Sequence, residues 1–439
     1  MNQNRTINWL HQQLPGLVTE GILSAESAEA LRCHYPLEDS KSGLSFAVLF
    51  FGVFGSLLVG AGIVLLLAHN WQDLGRPMRT VLSLLPLVLA QIVSGWVLWR
   101  GEMGTVWRES AGVFHSLAVA ASIALIAQTY HMPGSFDSFL LTWMLLSLPL
   151  VYLLNAVAPL MIYLAGITSW AGSQQFMGEH ALLYWPLAAL TVPFIWRTVR
   201  AAPFKPKSAL VQWTAVITAT FALGIVLEKG LPGLWIPLYA SLFGGLYLAG
   251  GLARCEDEVT DWLRPARVFG AAATLVLVFQ LTSEWPWNDV GWRYLRWGGG
   301  VHAVAIWGDW LVGLGLIGFV MTMLTTSIRR QRAWDMLLGI AAPVVIIGYV
   351  IAACGAAGLA TLLMNVYLLA VGIGFVVQGA CQVRLRLFNL GMGTFSALVV
   401  ARFFDSDFSF IAKGLVFIAL GVAFLVCNII LCRRKEHRS

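Results

Sequence analysis

Charged side chains are scarce. Asp, Glu, Lys and Arg supply 11% of the 439 residues, against about 25% in a typical soluble domain. So few ionised groups cannot solvate a globule of this size, which excludes a soluble protein, a disordered chain and a nucleic-acid binder. Paired cysteines are also missing. Cys33, Cys255, Cys354, Cys381, Cys427 and Cys432 lie far apart with no CxxC spacing. This excludes a disulfide framework or zinc site and leaves them as small apolar residues expected to be buried. No P-loop, dinucleotide fingerprint, HExxH or GxSxG is present, so no enzyme, no cofactor and no metal is expected. Residues 1–43 are polar and mixed in charge, unlike a cleaved secretory signal.

Apolar residues, by contrast, make up 58% of the chain. A helix needs about 20 of them to cross about 30 Å of hydrocarbon. Cutting at charges, prolines and polar clusters gives runs at 44–68, 80–99, 112–131, 138–154, 157–173, 181–197, 209–227, 231–252, 266–283, 308–326, 334–354, 357–380, 386–403 and 410–431. The expected fold is an all-α integral membrane protein of about 14 transmembrane helices. The pair around Asn155–Pro159 reads as either a tight hairpin or one broken helix. Pro186 and Pro193 predict a kink or tilt in 181–197.

Basic residues mark cytoplasmic loops. With the N-terminus inside and strict alternation, 21 of the 28 Lys and Arg fall on the inner side. Only Arg76, Arg79, Lys229, Arg293, Arg296, Arg402 and Lys413 fall outside. The net charge of +6 is therefore a topological record, and both termini are expected in the cytoplasm. The domain reading is a cytoplasmic helical segment 1–43, a polytopic domain 44–431 and a basic tail 432–439. In the first segment Trp9, Leu10, Leu14, Leu17 and Val18 form an apolar stripe interrupted at Pro15. Ser24 is expected to cap a helix through Cys33.

No Asp or Glu lies near a span centre. Asp335 is expected at an inner end, and Glu228, Asp309 and Asp405 at outer ends. That argues against ion coupling through a midplane carboxylate. Gln91, Asn365 and Gln378 are expected to bond helix to helix, and the recurrent glycine pairs to pack helices closely. The acidic run Glu256–Asp261 reads as a solvated turn balancing Arg254, Arg264 and Arg267. On the outer side His69, Asn70, Gln128, His131, Arg402, Asp405 and Lys413 cluster at span ends. Gln128 and His131, three apart, would share a helix face, as would Arg402 and Asp405. They suggest a polar periplasmic vestibule for an anionic or hydrogen-bonding ligand. The loop 284–307 and its C-terminal flank carry Trp285, Trp287, Trp292, Trp297, Trp307 and Trp310, six of the 19 tryptophans. Indole settles at the headgroup level, so these predict an interfacial segment or a platform for a partner.

Whole segments carry a resemblance. A lead-in of Trp9, Gly21-Ile22, Ala28 and Leu31 precedes a glycine-rich first span ending Ala68-His69-Asn70-Trp71. Ala127-Gln128-Thr129-Tyr130-His131 and a leucine-rich hairpin follow. Over residues 1–175 the chain resembles the bacterial domain-of-unknown-function family 2157, predicted multi-pass membrane proteins. Arg402-Phe403-Phe404-Asp405 and Lys413-Gly414-Leu415 resemble the ending of the same proteins. The resemblance implies a bacterial inner-membrane location and no activity. The function expected is translocation of a small polar or lipid-like substrate. The alternative is a non-catalytic scaffold or sensor binding envelope proteins at its periplasmic face. Expected partners are membrane lipids, a membrane or periplasmic protein, or a second copy of the chain, and no nucleic acid.

Overall fold

Apolar runs bounded by proline, glycine and basic turns become helices. The computed structural model describes residues 11, 13–34, 74–101, 104–176, 181–227, 233–252, 260–291, 303–330, 335–382, 384–405, 418 and 421–422. The expected spans 44–68 and 410–431, and His69, Asn70, Trp292, Trp297 and Lys413, lie outside the described residues. The chain divides into two units, Met1–Arg79 and Thr80–Ser439.

In the first unit a helical stretch over 13–19 runs through Pro15, so the expected interruption does not occur. It ends at Gly21, whose φ of 71° suits a residue without Cβ. Ile22 N donates to Leu17 O at 3.0 Å and Gly21 N to Val18 O at 3.2 Å, the paired closure of a helix C-terminus. The next helix, α1 (Ala25–His34), begins where expected. Ser24 Oγ accepts from Ser27 N at 3.1 Å, satisfying one orphan donor of the first turn.

The second unit is a helical bundle. Its long elements are α2 (Arg76–Arg100, which begins in the first unit), α3 (Thr105–Tyr130), α4 (Phe136–Leu153) and α5 (Val157–Phe176). Then come α6 (Tyr184–Ala189), α7 (Val192–Ala201), α8 (Pro206–Val226), α9 (Trp235–Leu252) and α10 (Pro265–Gln280). The last are α11 (Ala303–Arg329), α12 (Met336–Gly339), α13 (Ala341–Ala353), α14 (Ala357–Gln382) and α15 (Leu385–Asp405). Among the described residues, eight helices are long and apolar enough to cross a membrane. The segment with Pro186 and Pro193 is a pair of helices bent by 43°, as the prolines predict. The alternative at Asn155 resolves as a hairpin. Asn155 turns with φ 50°, and α5 packs so closely on α4 that a Cβ on Gly166 would lie 2.0 Å from Met144 Sδ.

Two apolar cores hold the bundle. One is built on α5 with Met144, Tyr163, Ile167, Tyr184 and Val211. The other surrounds α9 with Leu248, Val320, Val345, Met364 and Phe375. α9 is apolar all round and the most buried span, whereas α2 leaves most of its length exposed. Glycines set several close approaches, from some of the recurrent pairs and from the unpaired Gly379. A Cβ on Gly379 would lie 2.4 Å from Phe388 N, and one on Gly391 would lie 2.7 Å from Gly372 O. Gly315, Gly318 and Gly393 face open space instead.

Apart from the bent pair α6–α7 and the single span made by α12 and α13, consecutive helices run antiparallel. Ser94 Oγ lies 3.0 Å from His115 Nδ1, Ser122 Oγ donates to Ser83 O at 2.7 Å, and Trp143 Nε1 donates to Ser116 O at 2.7 Å. The turns of this unit therefore alternate between two ends. Arg100, Arg108, Arg197, Arg200, Lys205, Lys207, Arg264, Arg267, Arg329, Arg330, Arg384 and Arg386 gather at one, the basic end. Among the described residues, Arg402 lies at the other, as do Arg76 and Arg79 in the first turn of α2.

Three expectations need correction. Cys354 and Cys381 are exposed, not buried, because both sit at helix ends. Asp309 is 2% exposed and lies more than a turn inside α11, which starts earlier than its apolar run. Asp261 pairs with Arg386 at 3.1 Å, while Arg267 pairs with Asp335 at 2.9 Å, so Asp261 meets a different cation; Arg254 and residues 256–258 lie outside the described residues.

Candidate functional site

Of the expected vestibule residues, Gln128, His131, Arg402 and Asp405 are described, the first two at the end of α3 and the last two at the end of α15. Gln128 lies in the last turn of α3, but His131 is one residue past its end with φ 50° and ψ 41°. That left-handed turn closes the helix by backbone donation to Ala127 O and Gln128 O, and it takes His131 off the face Gln128 occupies. Both side chains are exposed. α15 does continue to Asp405.

Arg402 does something else. Its Nη2 donates to Thr282 O at 2.8 Å, just past the end of α10. Asn365 Nδ2 reaches the same oxygen at 2.9 Å and Thr361 O at 2.8 Å, the helix-to-helix bond expected of it. Gln91 and Gln378 make no such bond among the described residues. A cation and an amide thus close a helix C-terminus whose carbonyls lack intrahelical partners. The stretch after α10 folds inward. Trp287 is 1% exposed, and its indole donates to Leu281 O at 2.9 Å. This removes Trp287 from the expected surface platform. Trp285 is 61% and Trp307 74% exposed, with Trp310 at 39%.

A lateral groove of about 650 Å³ lies between α8, α9 and α10, within the size range of small-molecule pockets. Phe221 and Val276 form its exposed lips. Its floor belongs to a ladder of aromatic rings from α8, α9, α10 and the turn before α10. Trp262 stacks on Trp213 at 5.7 Å, and Trp213 meets Phe269 at 6.3 Å. Phe269 meets Phe243 at 5.8 Å, Phe243 meets Tyr239 at 5.4 Å, and Tyr239 meets Trp235 at 6.5 Å. The ladder runs from the turn before α10, at the basic end, to the first residue of α9 at the other. Of these rings Trp235, Tyr239, Phe243 and Phe269 line the groove, while Trp213 and Trp262 continue the ladder beyond it. The Tyr239 hydroxyl is satisfied by donating to Thr220 O at 2.9 Å. Gln280 lines the groove near the end opposite the basic one.

At the basic end the α4–α5 turn is clasped from two sides. Glu109 of α3 accepts from Val157 N at 2.8 Å and Ala158 N at 2.7 Å. Lys207 of α8 donates to Asn155 O at 2.6 Å. With α2 and α3, this hairpin forms a continuous helical segment.

Residues 15–160 match the family model described as Predicted membrane protein (DUF2157). No curated protein and no solved structure matches the chain. The match runs from before α1 through α4 into the start of α5, slightly inside the segment that the sequence motifs mark. Glu109, Gln128 and His131 lie within the DUF2157 segment; Arg402 and the aromatic groove lie outside it. Neither the groove nor the Glu109 cap is signalled by spacing, since each joins residues far apart in the chain. The one usable hint was the density of aromatics on α8, α9 and α10. The chain is a membrane protein by family match and by its apolar helices.

Proposed function

We propose that this protein handles a lipid-like molecule along the flank of its helical bundle and moves it between leaflets of a bacterial inner membrane. The observation that carries the reading is the lateral groove with its aromatic ladder. A laterally open groove lined almost wholly by apolar and aromatic side chains suits a lipid tail better than a small polar solute. The gathering of basic residues at one end supports fourteen spans with both termini in the cytoplasm. The reading involves no catalysis. A scaffold or sensor role is the second reading, favoured by exposed Trp285 and Trp307 at the end opposite the basic one.

The test is a lipid-scrambling assay in vesicles carrying a fluorescent phospholipid and the full chain. We expect quenching by an external reductant to pass beyond the outer leaflet. Ala272→Trp, which fills the groove from an exposed position on α10, abolishes this while leaving the fold intact. Wild-type protein no faster than empty vesicles would overturn the translocation reading.

A further inference from the structure

We propose that the basic end holds an anionic phospholipid headgroup at the α4–α5 turn, gripped by Arg108, Arg197 and Lys207. The three cations come from three helices, α3, α7 and α8, and meet around residues 154–158. Lys207 Nζ is fixed at 2.6 Å from Asn155 O and 5.9 Å from the Phe194 ring centre. Arg197 lies one turn beyond Phe194 on α7, and Arg108 immediately precedes Glu109, which holds the other side of the turn. Lys207 lies close enough to Glu109 to be attracted by it and to Arg108 and Arg197 to be repelled by both, so one carboxylate faces three cations here.

None of the three has a carboxylate within ion-pair distance among the described residues. Glu109 is the nearby acid, and its two oxygens are taken by Val157 and Ala158 N–H groups. Arg108 is pre-positioned by donating to Gly101 O at 2.8 Å. The surroundings supply the rest of a lipid site. Tyr152 and Trp196 are 44% and 64% exposed on the same rim, the amphipathic aromatics that mark headgroup level. Arg200 lies 5.8 Å from the Trp196 ring centre. Exposed Leu153, Leu190 and Val192 give an adjoining apolar flank for the tails. Basic pockets between membrane helices recognise anionic headgroups in this way. This inference does not depend on the groove between α8 and α10.

The experiment uses purified full chain in neutral detergent, titrated with short-chain phosphatidylglycerol or phosphatidylcholine, with bound lipid counted by native mass spectrometry. Wild type should bind one phosphatidylglycerol tightly and show no comparable phosphatidylcholine site. Each cation removed near a charged surface lowers affinity about fivefold. The variant R108Q/R197Q/K207Q should therefore lose about a hundredfold. R329Q/R384Q/R386Q, with the same charge removed at other turns of the basic end, should bind like wild type. If both triple variants lose affinity equally, only general surface charge is at work and the site is wrong. If inorganic phosphate displaces the lipid with matching affinity, the ligand is a soluble phosphate and the lipid proposal fails. Should the first triple variant not fold, Arg197→Gln alone decides: Arg197 is exposed, and a fivefold loss supports the site whereas none overturns it.

Discussion

Glu109 should be the most consequential single carboxylate in the described bundle. The first N–H groups of a helix have no intrahelical acceptor. Those of Val157 and Ala158 at the start of α5 are both satisfied by Glu109, at 2.8 and 2.7 Å. A hydrogen bond to a charged group contributes about 1.5–3 kcal/mol. Glu109 is only partly buried, so the lower value applies to each bond, about 3 kcal/mol for the pair. The helix dipole adds roughly 0.3–1 kcal/mol for an anion at this place. Glu109→Ala should therefore lower stability by about 3 kcal/mol. Glu109→Gln keeps one acceptor, turns an amide N–H towards the other donor and loses the charge, so it should lie between alanine and wild type. Reversible unfolding in mixed micelles, titrated with a denaturing detergent and followed by tryptophan fluorescence, measures both. An alanine variant within about 0.5 kcal/mol of wild type, the range of ordinary surface changes, would refute the cap.

Gly379→Val should be strongly destabilising, by roughly 1–3 kcal/mol or more, because its Cβ would lie 2.4 Å from Phe388 N, a backbone atom that cannot swing away. Folded yield by size-exclusion chromatography checks it, with Gly393→Val, which faces open space, as the tolerated control. Asn365→Leu should cost about 0.6–1.7 kcal/mol by removing a donor from Thr282 O, read by the same unfolding titration. Ser24→Ala should weaken α1 by about 0.5–2 kcal/mol, seen as faster amide exchange confined to residues 25–34.

How much of this is legible in the sequence depends on how local each feature is. The described helices follow from apolar runs and their breakers. Pro186 and Pro193 announce the bent pair, and Ser24 announces the start of α1. Each is a statement about neighbours in the chain. His131 shows where local reasoning fails. A three-residue spacing puts it on one face with Gln128, but the helix ends between them through a left-handed turn that the absent glycine would have signalled. Trp287 fails differently. Its indole looks interfacial beside Trp285, and only the packing of Gly348 beneath it, 3.2 Å from a Cβ position, makes room for it inside. Glu109 and Val157 are joined across 48 residues, and the aromatic ladder draws on three helices and a turn. Such pairings belong to tertiary structure, and beyond the density of aromatics a single sequence carries no mark of them.

The shortness of α10 has a mechanical consequence. Its 16 residues rise about 24 Å, less than the hydrocarbon layer needs. Were α10 to cross the membrane as proposed, the chain would finish the crossing as irregular backbone, which lipid cannot solvate. Thr282 O and Leu281 O instead take donors from Arg402, Asn365 and Trp287. Those three side chains act as a rivet through α14, α15 and the end of α10. Prising the helices apart there would strand two carbonyls and a guanidinium in a medium without water. That end of the bundle is therefore built to stay shut, and the proposed translocation would have its easiest route along the outside.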